Sequence, residues 1–187
     1  MRREACVCAH APRLNISTRL IVVIHAKEWR RSTNTGHLAR LAVKDGEVRL
    51  QGLPNRIVSS AGIDSISPST LVLYPGRGAQ PLTVESIAAL PRPLTLLVPD
   101  GNWTQAKNMM RRVPMLRDAQ PFRLDGPSLD LQCLRYNRCA DRMSTFEAIA
   151  QALGILEGHD TEDQLLKFFH QFLDCMVHNS RKVANHR

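Results

Sequence analysis

Thr95-Leu96-Leu97-Val98-Pro99-Asp100-Gly101-Asn102-Trp103-Thr104-Gln105-Ala106-Lys107 is the stretch whose reading decides the fold. With Leu94 before it, its first half is a run of apolar and β-branched residues, the pattern of a parallel strand covered on both faces. Pro99 lacks an N–H, which predicts that the ladder stops there. Asp100 then stands at the carboxyl end of a strand. Asn102 is placed to cap the next helix, Gln105 completes a capping box, and Trp103, Ala106, Met110 and Val113 predict that helix's apolar face. Lys107, Arg111 and Arg112 fall off it. Open α/β sheets bind ligands beyond the carboxyl ends of their strands, so Asp100 and Trp103 are the first candidates for a small-molecule site.

Working outward, Arg19 to Ala26 and Thr70 to Tyr74 are two further buried strands, with Glu47 to Gln51 and Pro121 to Leu124 as shorter ones. The spacing predicts a helix over 32–43, capped at Asn34 or Thr35, and another over 83–90. Tyr74-Pro75-Gly76-Arg77-Gly78 ends the second strand in a loop where glycine lets backbone approach a ligand, but no Gly-x-Gly-x-x-Gly phosphate cradle follows. Ser144-x-x-Glu147 is a capping box opening a helix with Phe146, Ala150 and Leu153 on one face, and capping is the expected role of Glu147. Near the carboxyl terminus, Thr161 to Gln164 forms a second capping pattern ahead of a stripe of Leu165, Phe168, Phe169, Phe172, Leu173 and Met176. That stripe is either core or a dimer seam. The expected architecture is a three-layer α/β/α fold with a mostly parallel sheet and a C-terminal helical tail.

At 187 residues the chain suits one well-buried core. No apolar run approaches the roughly 20 residues that cross a bilayer, and no signal peptide is evident, so a cytoplasmic protein is expected, with its five cysteines reduced. A net charge of +8 favours a polyanionic partner over an acidic small substrate, although a basic surface can serve solubility alone. Cys6, Cys8 and His10 invite a metal, but two thiolates and one histidine do not close a tetrahedral structural site, so none is expected.

Asp100-Gly101-Asn102-Trp103, followed by Ala106 and Met109, resembles the Asp-x-Thr-Trp signature of the DTW-domain family, with Asn102 where the family has threonine. His25 with Glu28, Asn34-Thr35-Gly36, Leu73-Tyr74-Pro75, Leu134-Arg135 and Ser144-Thr145-Phe146-Glu147-Ala148 follow the family's order. The resemblance implies a tRNA-uridine aminocarboxypropyltransferase. Such an enzyme moves the 3-amino-3-carboxypropyl group of S-adenosylmethionine to N3 of a tRNA uridine, on a fold similar to the trefoil-knotted SPOUT methyltransferases. It further implies residues 1–18 as an N-terminal segment with a remnant Cys-x-Cys, 19–158 as the catalytic domain and 159–187 as a helical extension. The protein is then a monomer or homodimer.

On that basis Asp100 is the base or an orienting acid, or it merely fixes the turn, and Trp103 stacks on a flipped base or belongs to the core. Leu73, Tyr74, Pro75, Val98, Pro99, Gly101, Asn102, Ser144 and Thr145 are the cofactor-binding candidates. Ser144 and Thr145 are chosen because free N–H groups at a helix start attract the donor's carboxylate. Arg31, Asn34, Lys107, Arg111, Arg112 and Arg135 are the candidates for RNA contact. A methyltransferase of related fold and a non-catalytic RNA-binding protein remain as alternatives.

Overall fold

The computed structural model describes residues 7–31, 33–54, 56, 58–125 and 143–184, with side chains as far as Met176. Six strands form one sheet: β1 (Arg19–His25), β2 (Glu47–Gln51), β3 (Thr70–Leu73), β4 (Gln80–Pro81), β5 (Thr95–Asp100) and β6 (Gln120–Arg123). Their order is β2-β1-β5-β3-β6-β4, and each neighbouring pair is parallel. Helices follow as α1 (Ala26–Trp29), α2 (Ala39–Ala42), α3 (Val84–Ile87), α4 (Trp103–Arg112), α5 (Pro114–Arg117), α6 (Thr145–Glu157) and α7 (His159–Ala184).

The unbroken apolar runs of the strands have the cause expected of them, because alternate residues serve two cores. Leu20, Val22, Ile24, Leu71, Leu96 and Val98 pack with Phe146 and Leu153 of α6 and with Leu165, Phe168 and Phe169 of α7. Ile21, Val23, Val72 and Leu97 face the other way, onto Ala106, Met109, Met115 and Leu116 of α4 and α5. The α7 stripe is therefore buried within this chain and is core, not a dimer seam. The path between β6 and α6 lies in 126–142, outside the described residues.

Four expectations need correction. The ladder does not stop at Pro99: β5 continues to Asp100, with Pro99 opposite Val23. Pairing with β3 ends at Leu97, so beyond it the strand has one neighbour and a missing donor is tolerated. The helix expected over 32–43 is a 3-10 turn, Gly36–Leu38, and the short α2, because the segment before it spends its polar groups on distant partners. Trp103 is off the apolar face of α4, whose buried positions are Ala106 and Met109 with Val113 beyond the end. Thr161 is no cap either, since the turn at Gly158 (φ 113°) lets α7 start at His159.

Candidate functional site

The site is built where β1, β5 and β3 end. On β5, Asp100 follows Leu96 and Val98 at intervals of two and so shares their face, toward α6. It is only 5% exposed. Two segments reach it. Asn34 donates from Nδ2 to Asp100 Oδ2 at 2.5 Å, and Thr145, the first residue of α6, donates from Oγ1 to Oδ1 at 2.5 Å. A third contact locks those segments together, as the Phe146 N–H, one of the helix's orphan donors, is accepted by Thr35 Oγ1 at 3.3 Å. Gly36 is needed for the closeness of this arrangement, because a Cβ there would lie 2.5 Å from Asp100 Oδ2.

Burial pushes the Asp100 carboxyl above the ordinary aspartate range. The hydrogen bonds from Thr145 and Asn34 pull it back in part, and the nearby Glu28 charge adds to the rise. Glu28 is itself buried, with Oε2 3.1 Å from Arg31 Nη1 and Oε1 without a hydrogen-bond partner among the described residues. His37 completes the group: burial holds its imidazole below the ordinary histidine range against the attraction of Asp100, and its ring meets Trp29 and Phe172 edge-on.

The aromatic half of the site lies across the sheet. Tyr74 packs with the α4 core, and its ring centroid is 6.5 Å from that of Trp103, which is 52% exposed. Asp100 and Trp103 thus share the sheet's carboxyl edge but face its two sides. Leu73 and Val98 are buried core, so they can offer a ligand backbone alone, whereas Pro75 is exposed and Pro99 and Gly101 are half-buried. Asn102 is committed to its cap, since its Oδ1 accepts the Gln105 N–H at 2.9 Å and Gln105 Oε1 accepts the Asn102 N–H at 2.7 Å. Ser144 and Glu147 form the same reciprocal box on α6.

Of the residues expected to touch RNA, Arg31 is paired with Glu28 and Asn34 with Asp100. Lys107, Arg111 and Arg112 are exposed on α4, which leads away from the site, its last turn about 12 Å from Trp103. Arg135 and Leu134 lie outside the described residues, as does Cys6, and Cys8 is exposed. Among the described residues no group of three or more metal-binding side chains gathers, and no helix is long and apolar enough to cross a membrane. Sequence reasoning missed His37. The signal available was its place three residues after Asn34, one turn along the same segment.

Residues 1–177 match the family described as DTW domain. The chain is similar to tRNA-uridine aminocarboxypropyltransferase 2 of Drosophila melanogaster, 30% identical over 88% of this chain and 68% of that protein. Similarity extends to the protein of the same name in Mus musculus, 30% identical over 88% of this chain and 57% of the other. It also extends to tRNA-uridine aminocarboxypropyltransferase A of Arabidopsis thaliana, 27% identical over 86% and 72%. The chain thus spans little more than half the length of the mouse relative. No solved structure matches it.

Proposed function

The chain belongs to the DTW-domain family, and from that premise we propose that it is a transferase carrying the 3-amino-3-carboxypropyl group of S-adenosylmethionine to N3 of a tRNA uridine, in the cytoplasm. One observation carries the reading: a carboxylate buried at the edge of the sheet, each oxygen held by a donor and its proton affinity raised. Uridine N3 is a poor nucleophile until it loses its proton, and a carboxylate whose proton affinity burial has raised is the better suited to take it. The names of the relatives supply the substrate class.

The residues fit the donor. An indole left half in solvent beside Tyr74 offers face area to a flat ring, adenine or uracil. Gly101 keeps the backbone between Asp100 and the α4 cap free of a side chain where a Cβ would meet Gln105 at 3.0 Å. Tyr74, Pro75 and the backbone of residues 98–101 would hold S-adenosylmethionine, whose sulfonium activates the carbons attached to it. Asp100 would orient N3 and accept its proton, and Lys107 with the other exposed basic residues would meet phosphates. The test is product analysis with tRNA and S-adenosylmethionine. The expected by-product is 5′-methylthioadenosine, with an aminocarboxypropyl mass increment on uridine. S-adenosylhomocysteine would make the protein a methyltransferase, and neither product would leave an RNA-binding protein.

A further inference from the structure

The two oxygens of Asp100 meet partners of different kinds. At Oδ2 stands the amide nitrogen of Asn34, and the other end of that amide is occupied because Asn34 Oδ1 accepts the His37 backbone N–H at 3.3 Å. An amide held in this way cannot turn to accept a proton, so Oδ2 faces a donor whatever the charge on Asp100. Gly36 closes the same side, its missing Cβ 2.5 Å from Oδ2. At Oδ1 stands a hydroxyl, Thr145 Oγ1, which can donate to a carboxylate and, by rotating, accept from a carboxylic acid.

We propose that Asn34 and Thr145 make Asp100 a one-sided base: Asn34 is a positioning residue that reserves Oδ2 as a permanent acceptor, and Oδ1 is the oxygen that takes the substrate's proton. The inference rests on the transferase reading and names the atom that performs its first step. The N3–H bond breaks, the proton passes to Oδ1 while Thr145 Oγ1 turns from donor to acceptor, and the electron pair left on N3 forms the new N–C bond as the donor's C–S pair stays on sulfur. Asn34, which the sequence assigns to RNA, acts here through Asp100. Thr35 fixes the geometry from behind by holding the first turn of α6.

The test reads the protonated acid directly and needs no turnover. On acidification of the full-length protein, the infrared C=O band of protonated Asp100, identified by its loss in Asp100→Asn, reports the hydrogen bond to the oxygen that stays unprotonated. With the proton on Oδ1, Asn34→Ala moves that band to higher wavenumber and Thr145→Val leaves it in place. The opposite pattern puts the proton on Oδ2 and overturns the proposal. Asn34→Leu keeps much of the side-chain volume but has nothing to donate to Oδ2, and must move the band as well; an unmoved band overturns the proposal even if Asn34→Ala does not fold. In turnover, Asn34→Ala and Thr145→Val should each lose about 100-fold and shift the acidic limb of the pH profile upward, with Thr145→Ser recovering both. Thr83→Ala, which removes the cap of α3 on another part of the fold, should shift neither. Failure of the transferase reading would appear as the wrong by-product with the band pattern intact; failure of this proposal would appear in the bands.

Discussion

One helix carries an acid contact at each of its ends, and the two acids are treated in opposite ways. Where α6 begins, Thr145 meets Asp100; where it ends, Glu157 accepts the N–H and hydroxyl groups of both Ser17 and Thr18, just before β1. Burial pushes both carboxyls up. At Glu157 the hydrogen bonds from Thr18 and Ser17 outweigh burial and hold it below the ordinary glutamate range, while at Asp100 the bonds from Thr145 and Asn34 do not. The difference is one of supply: backbone and side-chain donors converge on a half-exposed carboxylate in one place, and two side chains serve a buried one in the other. A fully satisfied acid anchors the chain, and an acid kept short of donors retains a use for its lone pairs.

The contrast is broken most severely at Asp100. Asp100→Asn keeps the shape, and its amide can still meet Asn34 and Thr145, so turnover should fall by about 10²–10⁴-fold while the fold persists. Thermal stability at neutral pH should stay level or rise. The native-state proton affinity of Asp100 lies above its unfolded value, so between the two the native state holds more protons and stability falls as pH rises; removing the group removes that cost. A melting temperature that drops at neutral pH would make the carboxylate structural.

The second contrast concerns charge at the two ends of the sheet. Lys107 is exposed one turn into α4 from Trp103, and Arg92 is exposed ahead of β5 at the opposite end. If tRNA lies across the site end, Lys107→Ala should lower the slope of log affinity against log salt by roughly 0.7–0.9, the loss of one phosphate contact, and Arg92→Ala should leave it unchanged. Equal slopes for the two variants would remove the site end as the RNA surface.

How much of this was legible depended on how far apart in the chain the partners are. The strands were readable because burial on both faces writes a continuous apolar run, and the capping boxes at Asn102 and Ser144 because their partners sit three residues away. Asp100 at a strand end was readable for the same local reason. The clamp around it was not: Asn34 and Asp100 are 66 positions apart, and Thr35 and Phe146 are 111. Locally, Asn34-Thr35-Gly36 has the composition of a helix cap, and it does cap a short turn through His37. Its other bonds prevent the longer helix that the pattern suggested. The exposure of Trp103 was hidden too, because an aromatic at a helix start reads equally as core.

At the other end of α6, Glu157→Gln should lower stability by about 1–2 kcal/mol, since hydrogen bonds to a partly exposed charged group are lost or weakened, and should leave the rate of transfer unchanged. Its contribution has the opposite pH dependence to that of Asp100. The folded-state proton affinity is depressed, so the stabilisation is present above the unfolded value and is lost as pH falls through the folded one. Denaturant midpoints for the wild type and Glu157→Gln should therefore converge on acidification. A constant gap down to the acid limit would mean that the charge plays no part in the anchor.

The smallest effect is expected at Asn102, between the acid and the aromatic sides of the site. Its carbonyl oxygen accepts the Gln105 N–H, a task that a threonine hydroxyl performs nearly as well, so Asn102→Thr should change stability by only a few tenths of a kcal/mol, and Asn102→Ala should cost about 1 kcal/mol. The rate of transfer reports on the remainder of the side chain. The cap occupies the oxygen and leaves the amide nitrogen of this exposed residue, next in the chain to Gly101, without a role in the cap. A nitrogen that contacts the donor is lost in Asn102→Thr, so the Michaelis constant for S-adenosylmethionine should change at unchanged stability. Kinetics identical to wild type would confine position 102 to its cap, and the contrast between the ends of α6 would then rest on Asp100 and its clamp alone.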